Sequence, residues 1–508
     1  MHSKIFPLVV SLLVGFCLHP TLSYSVTNVA VTVNTSVPFV TLPASYLGFT
    51  LDWWPPYSEG FGSSTVNLIN LTHPRLLGLT RALGPVTLRL GGSLDNVVKY
   101  YVGNMSLSEC DAPVPFRGEI VPNLCLNMSR MTDVLNFVAG TNNNGLTHGS
   151  RLVFGLQLNL DAESGWNATN VLDFLNATSQ IQVGKGVITA FEVGEETTPA
   201  ASNTKEFQAY IDAYKGVRKA VESFWPIAAQ RPSILGPCTG MNDNYAPFNW
   251  SLSFLDAVGE DTLDGYVMHS YNNDGGQSWS VPGFLAETAV QASGIRAMLD
   301  TTNPLPLWCG ECGPHNGGGL PNITTRAISS FWYTAALHSL PLLGVHAGFN
   351  RQTLSGGSYS LLANDDFSPH PDYFAALAYS TIVSPRVLHS SSHAAGGVNI
   401  SESIQTYAAC ASALGGAVVI IYVNVDPNAT FALTLPGSTG RTTTFTFTPT
   451  DGDIFSDSLT LNGTPLVVTG NDPPVLVGID GDAADAINAN PYSFGYIVYH
   501  DMNAAACV

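Results

Sequence analysis

Charge is scarce in this 508-residue chain: only 11% of its residues are Asp, Glu, Lys or Arg. With 45% of residues apolar, the chain is neither a disordered polymer nor a charge-laced coiled coil. Positive charge is scarcer still. Nineteen Lys and Arg stand against thirty-eight Asp and Glu, a formal charge of −19 that repels polyanions and argues against nucleic acid as a partner. After the first 25 residues no apolar run has the length of a membrane span, and no internal repeat or long low-complexity linker occurs. The first strand-like run is not followed by the Gly-rich phosphate fingerprint of a doubly wound nucleotide-binding sheet. Cys309-Gly-Glu-Cys312 lacks the second ligand pair that a structural zinc site needs, so no metal or cofactor is expected.

What is present begins with MHSKIFPLVVSLLVGFCLHPTLSYS, a basic start, a short apolar stretch and small residues, which reads as a signal peptide over residues 1–25. Asn-x-Ser/Thr sequons fall at Asn34, Asn70, Asn104, Asn127, Asn167, Asn176, Asn249, Asn322, Asn399, Asn428 and Asn462, a density that fits an N-glycosylated secretory product. The expected location is extracellular, at the cell surface or in an acidic vacuole or lysosome, with cell-wall or peripheral membrane association open. Removing Cys17 with the leader leaves seven of eight cysteines, hence at least one unpaired thiol. Cys110 with Cys125 would bracket a short loop, and Cys410 with Cys507 would staple the C-terminal region. Cys238, Cys309 and Cys312 stay unassigned, although a Cys309–Cys312 bridge would stiffen the turn between them.

Eight short apolar runs alternate with helix-like sequence between residues 47 and 352: LGFTLDW from 47, VTLRLGGS from 86, RLVFGLQL from 151, VITAFEVGEE from 187, PSILGPC from 232, LDGYVMHSY from 263, LPLWCGEC from 305 and LLGVHAGFNRQ from 342. Parallel strands joined by helical crossovers give this pattern, and eight of them predict a (β/α)8 TIM barrel over residues 41–385. From residue 386 to 508 strand-like runs follow one another without helices, as in GGAVVIIYVNV and TTTFTFTP, which predicts a β-sandwich. The alternating segment at 26–40 is expected to join that sandwich rather than the barrel.

Polar residues collect at the C-terminal ends of the barrel runs, where the active site of such a fold sits. Glu196 closes the fourth run and Glu311 the seventh, each within an apolar stretch where an idle acid is costly to bury. Two carboxyl groups so placed suit glycoside hydrolysis, one protonating the departing oxygen and the other attacking the sugar or activating water.

On these motifs the chain resembles glycoside hydrolase family 79, the group of heparanase and the β-glucuronidases. FEVGEETTP from 191 and WCGECGPHNGGG from 308 look like its acid/base and nucleophile segments, which implies Glu196 as acid/base and Glu311 as nucleophile of a retaining enzyme. FNRQTLSGGSYSLLANDDFSPHPDYF from 349 is similar to the stretch whose Gly and Tyr grip a uronate carboxylate, which puts Gly357 and Tyr359 in that role. The resemblance further implies substrate contacts at Asp52, Ser93, His269, Gly317 and Gly318, with Tyr271 orienting Glu311. Trp53 and Trp54 could stack on a sugar face, and the ending AAACV matches the family's last Cys.

One position departs from the family, which carries Asn where this chain has Glu195. An Asn amide donates to the sugar 2-hydroxyl, whereas an ionised Glu only accepts, so recognition there must change unless Glu195 is protonated. Adjacent carboxylates are expected to raise each other's pKa, giving an acidic optimum. The expected activity is exo removal of β-linked glucuronic acid from uronic-acid-containing carbohydrate, because so few basic residues cannot line a sulfated-polymer cleft. Alternatives are a heparanase-like endo-β-glucuronidase, a glycosidase for a neutral sugar, and a catalytically impaired glycan-binding protein.

Overall fold

The computed structural model describes residues 25–54, 62, 64–122, 124–142, 149–161, 165–183, 186–199, 204–240, 248–272 and 280–508. The expected leader, Ser25 aside, lies outside them.

All eight apolar runs become strands of one closed parallel barrel: β1 (Leu47–Asp52), β2 (Thr87–Gly91), β3 (Arg151–Leu156), β4 (Ile188–Val193), β5 (Ser233–Thr239), β6 (Gly265–Tyr271), β7 (Leu307–Gly313) and β8 (Val345–Arg351). Each hydrogen-bonds to the next, and β8 closes on β1 through pairs such as Phe349 with Leu47. A helix follows each strand, from Pro74–Ala82 after β1 to Pro371–Ile382 after β8. The runs are continuously apolar because parallel strands are covered on both faces, by helices outside and by barrel filling inside. Val153, Ala190, Leu235, Cys238, Val267 and Trp308 form that inner filling, with Arg151 lying 4.9 Å over the Trp308 ring.

Beyond the barrel, β9 (Val383–Leu388), β10 (Ile404–Ala411), β11 (Val418–Asn424), β12 (Arg441–Pro449) and β13 (Ser493–Tyr499) run through a nine-stranded sheet that also takes in Val40–Thr41. A second, four-stranded sheet contains Ser25–Val33, paired in parallel with Ala429–Thr434 and antiparallel with Ser390–Ala394. Two sheets thus face one another, with the N-terminal strand in the smaller one.

The unalternating run in β11 has a direct cause. Val418, Ile420 and Tyr422 point into the core between the sheets, while Val419, Ile421 and Val423 join the barrel core. The larger sheet is therefore apolar on both faces, and its outer face lies on the barrel helix Ala327–Ser339, in which Ala327 to His338 are all buried. Phe331 of that helix meets Phe494 of β13 at 5.3 Å between rings, and Phe494 stacks on Phe447 at 4.9 Å. His338, against Tyr407 and Tyr496, is held neutral, its pKa lowered to about 3 by burial.

A second brace holds β8. Arg351 and Asp372, both fully buried, form an ion pair between the strand end and the following helix, and the Arg351 guanidinium lies 5.4 Å over the Tyr333 ring. This fixes the start of the loop that carries Gln352 and Tyr359. Because sheet and barrel share one continuous core, Phe494→Ala should destabilise the whole chain by about 3–5 kcal/mol, read as a lower midpoint of a single calorimetric transition. Separate melting of the barrel at its original temperature would contradict that coupling.

Candidate active site

The strand ends meet around one buried cation. Arg89, in the middle of β2 and 0% exposed, points into the barrel. Its Nε donates to Glu192 at 2.7 Å, Nη1 to Glu311 at 2.8 Å and Nη2 to Glu195 at 2.5 Å. A charge in the interior is tolerable only when paired and hydrogen-bonded, and the planar guanidinium fork can serve three carboxylates from one position. Asp52 and Asp95 are buried nearby, so five carboxyl groups share this one guanidinium.

That imbalance forces the carboxyls apart in acidity. Burial pushes Glu195 well above the ordinary carboxylate range; Arg89 opposes this, and the negative charges of Glu311 and Asp95 add to it. Asp52 is raised by burial and by Glu311, and Asp95 by burial. Glu311 goes the other way. Burial disfavours its charge, yet His269, Arg89 and hydrogen bonds from Glu195 and Tyr271 bring its pKa down to about 2. The Tyr271 hydroxyl donates to Glu311 Oε1 at 2.5 Å. Glu311 thus sits between the Arg89 and Tyr271 donors and is driven toward its ionised form, while Glu195 beside it is driven toward its neutral form.

Local backbone irregularities present these groups. In β7, Cys309 pairs with Met268 but Glu311 pairs with His269, so Gly310 is an extra residue between them. A side chain at Gly310 would fall 2.2 Å from Val267 Cγ1. This bulge turns Glu311 to the barrel interior and puts Cys309 and Cys312 together on the outer face, where they form a disulfide. Cys110–Cys125 and Cys410–Cys507 are also bridged, and Cys238 is a buried free thiol. After β4 the chain leaves strand geometry at Gly194 and again at Glu196, whose φ of 46° is left-handed. The Glu196 amide donates to the Cys238 carbonyl at 2.9 Å, which holds the side chain at the mouth. Glu196 Oε1 lies 3.3 Å from His269 Nδ1, and His269 Nε2 lies 3.4 Å from Arg89 Nη2.

A cavity of about 250 Å³ opens above this floor. Asp52, Ser93, Glu196, His269, Tyr271, Glu311, Gly317, Gly318 and Tyr359 all lie on its wall. Asp52 accepts from the Trp54 amide at 3.1 Å and from Gln352 Nε2 at 2.7 Å. Gly92 leaves it room, since a Cβ there would stand 2.1 Å from Asp52 Oδ1. Two residues expected to touch substrate do not reach the wall. Glu195 is drawn beneath Glu311 by Arg89, and the acids that raise its pKa are Glu311 and Asp95 rather than its sequence neighbour. Gly357 sits in the buried turn before Tyr359. Of the two tryptophans, Trp54 lines the cavity while Trp53 packs edge-on against Phe154.

Sequence reasoning passed over Arg89, Glu192, Asp95, Gln352 and Arg117. For Arg89 and Glu192 a signal existed: each is a charge inside an apolar strand run, at TLRLG and AFEVG. Asp95, in an ordinary loop sequence, gave none.

The sequence profile of the glycosyl hydrolase family 79 N-terminal domain matches residues 28–338. The chain belongs to glycosyl hydrolase family 79. Among family relatives, heparanase-like protein 2 of Arabidopsis thaliana is 26% identical, over 91% of this chain and 92% of its own length. The baicalin-β-D-glucuronidase of Scutellaria baicalensis is 23% identical, over 91% and 90%. Of solved structures, a 4-O-α-L-rhamnosyl-β-D-glucuronidase from Fusarium oxysporum superposes with a TM-score of 0.60 at 15% identity, covering 92% of this chain and all of that one. A family 51 arabinofuranosidase from Xanthomonas axonopodis gives 0.63 at 13%, covering 93% and 99%. At such identities these structures attest the fold, a barrel with an appended β domain. As a family 79 member the chain is a glycoside hydrolase.

Replacing Arg89 by Met should cost about 3–5 kcal/mol in denaturant unfolding, because it leaves buried charge uncompensated; a loss below 1 kcal/mol would remove Arg89 from its central place. An acid with a raised folded-state pKa stabilises fully below its unfolded value, near 4.5 for Glu195, and loses that contribution as pH rises toward the folded value. Each retained proton makes the slope about 1.4 kcal/mol per pH unit. The melting temperature should therefore fall between pH 5 and 8, and fall less in Glu195→Gln. Equal slopes in the two proteins would show that Glu195 is ionised.

Proposed function

We propose that this chain is a secreted, retaining exo-β-glucuronidase. The observation that carries the reading is Glu311, fixed by Arg89 and Tyr271 in the floor of a cavity whose wall holds Glu196. Glu311 attacks the anomeric carbon while Glu196 protonates the departing oxygen; Glu196 then takes a proton from the water that releases the sugar. An oxyanion needs no further activation to be the nucleophile, and Tyr271 and Arg89 restrict it to one orientation. Glu196, partly open to solvent, can exchange its proton between the two steps.

Protonated Glu195 bears on the departure from the family's Asn. A carboxylic acid is a donor, as an amide is, so a protonated Glu195 keeps a donor where the family has its Asn. This supports an active enzyme rather than an idle binder. Exo action is supported by the cavity, smaller than the roughly 300–1,000 Å³ of sites for drug-sized ligands and thus suited to one sugar ring. The glucuronide names of two relatives support the choice of sugar. Backbone donors near Tyr359 suit a carboxylate without demanding a basic protein. Secretion is supported by sequon side chains that, Asn462 excepted, are solvent-exposed, and by the disulfides. No helix among the described residues is long and apolar enough to cross a membrane.

Incubation with a mechanism-based glucuronide inactivator, followed by peptide mapping, tests the assignment. The label should sit on Glu311, and Glu311→Gln should lower kcat by at least 10³-fold. A label on Glu196, or none despite turnover, would overturn the retaining mechanism with Glu311 as nucleophile.

A further inference from the structure

Among the described residues the cavity wall is acidic, with Asp52, Glu196, Glu287 and Glu311 all on it, and it carries one Arg and no Lys. That residue is Arg117, which comes from neither a barrel strand nor a loop next to the catalytic pair. It stands at the tip of a small hairpin, Val114–Phe116 paired with Glu119–Val121, inserted between β2 and β3. Phe116 faces Glu119 across the turn, so Arg117 and Gly118 are its two central residues. Both have positive φ, 47° and 85°. Such turns favour Asn-Gly, because a longer L-residue in the left-handed region costs about 1–2 kcal/mol. Arg therefore occupies a position where its backbone is penalised and Asn would be tolerated.

Its surroundings hold the guanidinium without neutralising it. Arg117 lies 5.0 Å from the centre of the Phe116 ring and donates from Nη2 to Ser93 Oγ at 3.3 Å. Among the described residues no carboxylate comes within ion-pair distance of it. The hairpin is tied at its base by Cys110–Cys125, whose Cα atoms are 5.1 Å apart. Ser93 in turn begins the 3-10 turn Ser93–Val97, and Asn96 of that turn donates to the Glu195 carbonyl at 2.7 Å and accepts from the Glu195 amide at 2.9 Å. The hairpin is thus registered to the β4 end that presents Glu196.

We propose that Arg117 is a specificity-determining residue whose guanidinium binds a carboxylate of the substrate at the cavity mouth. An unpaired guanidinium fork matches a carboxylate with two parallel hydrogen bonds. In a chain of formal charge −19 it supplies the local attraction that the protein as a whole lacks. The carboxylate comes either from the uronic acid being released or from an acidic group on the residue attached to it. This assignment rests on reading the cavity as a glycosidase substrate site.

The test uses full-length protein and Arg117→Asn, a change that suits the turn and removes the charge, with Arg117→Lys keeping the charge but not the fork. Two ratios of kcat/KM are read: p-nitrophenyl β-D-glucuronide over the β-D-glucoside, and 4-carboxyphenyl β-D-glucuronide over p-nitrophenyl β-D-glucuronide. A fall of at least tenfold in the first ratio in Arg117→Asn, partly restored in Arg117→Lys, places the carboxylate on the released sugar. A fall confined to the second places it on the leaving group. If neither ratio moves by more than twofold while the variant melts at or above the wild-type temperature, Arg117 only braces Phe116 and the proposal is wrong. A wild type that hydrolyses none of these substrates sinks the glucuronidase reading instead. Calorimetric titration with glucuronate then decides Arg117: weaker binding by Arg117→Asn upholds its role, and equal binding overturns it.

Discussion

The contact between Arg89 and three carboxylates is the constraint on which the rest of this active site depends. A guanidinium never gives up its proton at ordinary pH, so it fixes one positive charge inside the barrel and lets its neighbours settle around it. Glu311, which accepts from both Arg89 and Tyr271, is held well toward its ionised form. Glu195, buried with Glu311 beside it, is pushed toward its neutral form. One interaction thus pushes two neighbouring carboxyls in opposite directions, Glu311 toward the anion and Glu195 toward the neutral acid, and leaves Glu196 on the cavity wall.

Geometry and electrostatics depend on each other here. The extra residue at Gly310 rotates Glu311 inward toward Arg89, and the same rotation brings Cys309 and Cys312 onto one face, where their bridge closes the bulge. The left-handed turn at Glu196, held by the Cys238 carbonyl, separates two consecutive glutamates into different environments, one under the floor and one on the wall. Behind the site, the two-faced sheet pins the helix between β7 and β8, and the buried Arg351–Asp372 pair pins the end of β8. The appended β domain is therefore part of what holds the nucleophile strand and its neighbour in place.

Much of this was legible in the sequence because burial on both faces writes itself as uninterrupted apolar runs. The eight barrel strands, the change of pattern after residue 386 and the carboxyls at the ends of the fourth and seventh runs are all of that kind. Cys110–Cys125 and Cys410–Cys507 followed from spacing and position. Partnership across the barrel is a different sort of information. Nothing in FEVGEE says that Glu195 folds inward and Glu196 outward, because that depends on one left-handed residue. Nothing in PFRGEIV says that the hairpin reaches back over the mouth. Arg89 and Glu192 were visible as misplaced charges in apolar runs, but only the closed barrel shows that they face each other. Gly357 is a case where motif position gives no burial: it lies in a buried turn two residues before Tyr359.

The division of protons in the floor can be observed directly. Carboxyl carbon-13 NMR of the full-length protein, titrated from pH 4 to 8 and compared with Glu195→Gln, resolves which acids are protonated. The account predicts a carboxyl signal of protonated shift that persists through pH 7 in the wild type and disappears in Glu195→Gln, with Glu311 ionised throughout. A Glu195 signal that moves to the ionised shift near pH 4.5, or a Glu311 signal that titrates in this range, would contradict it.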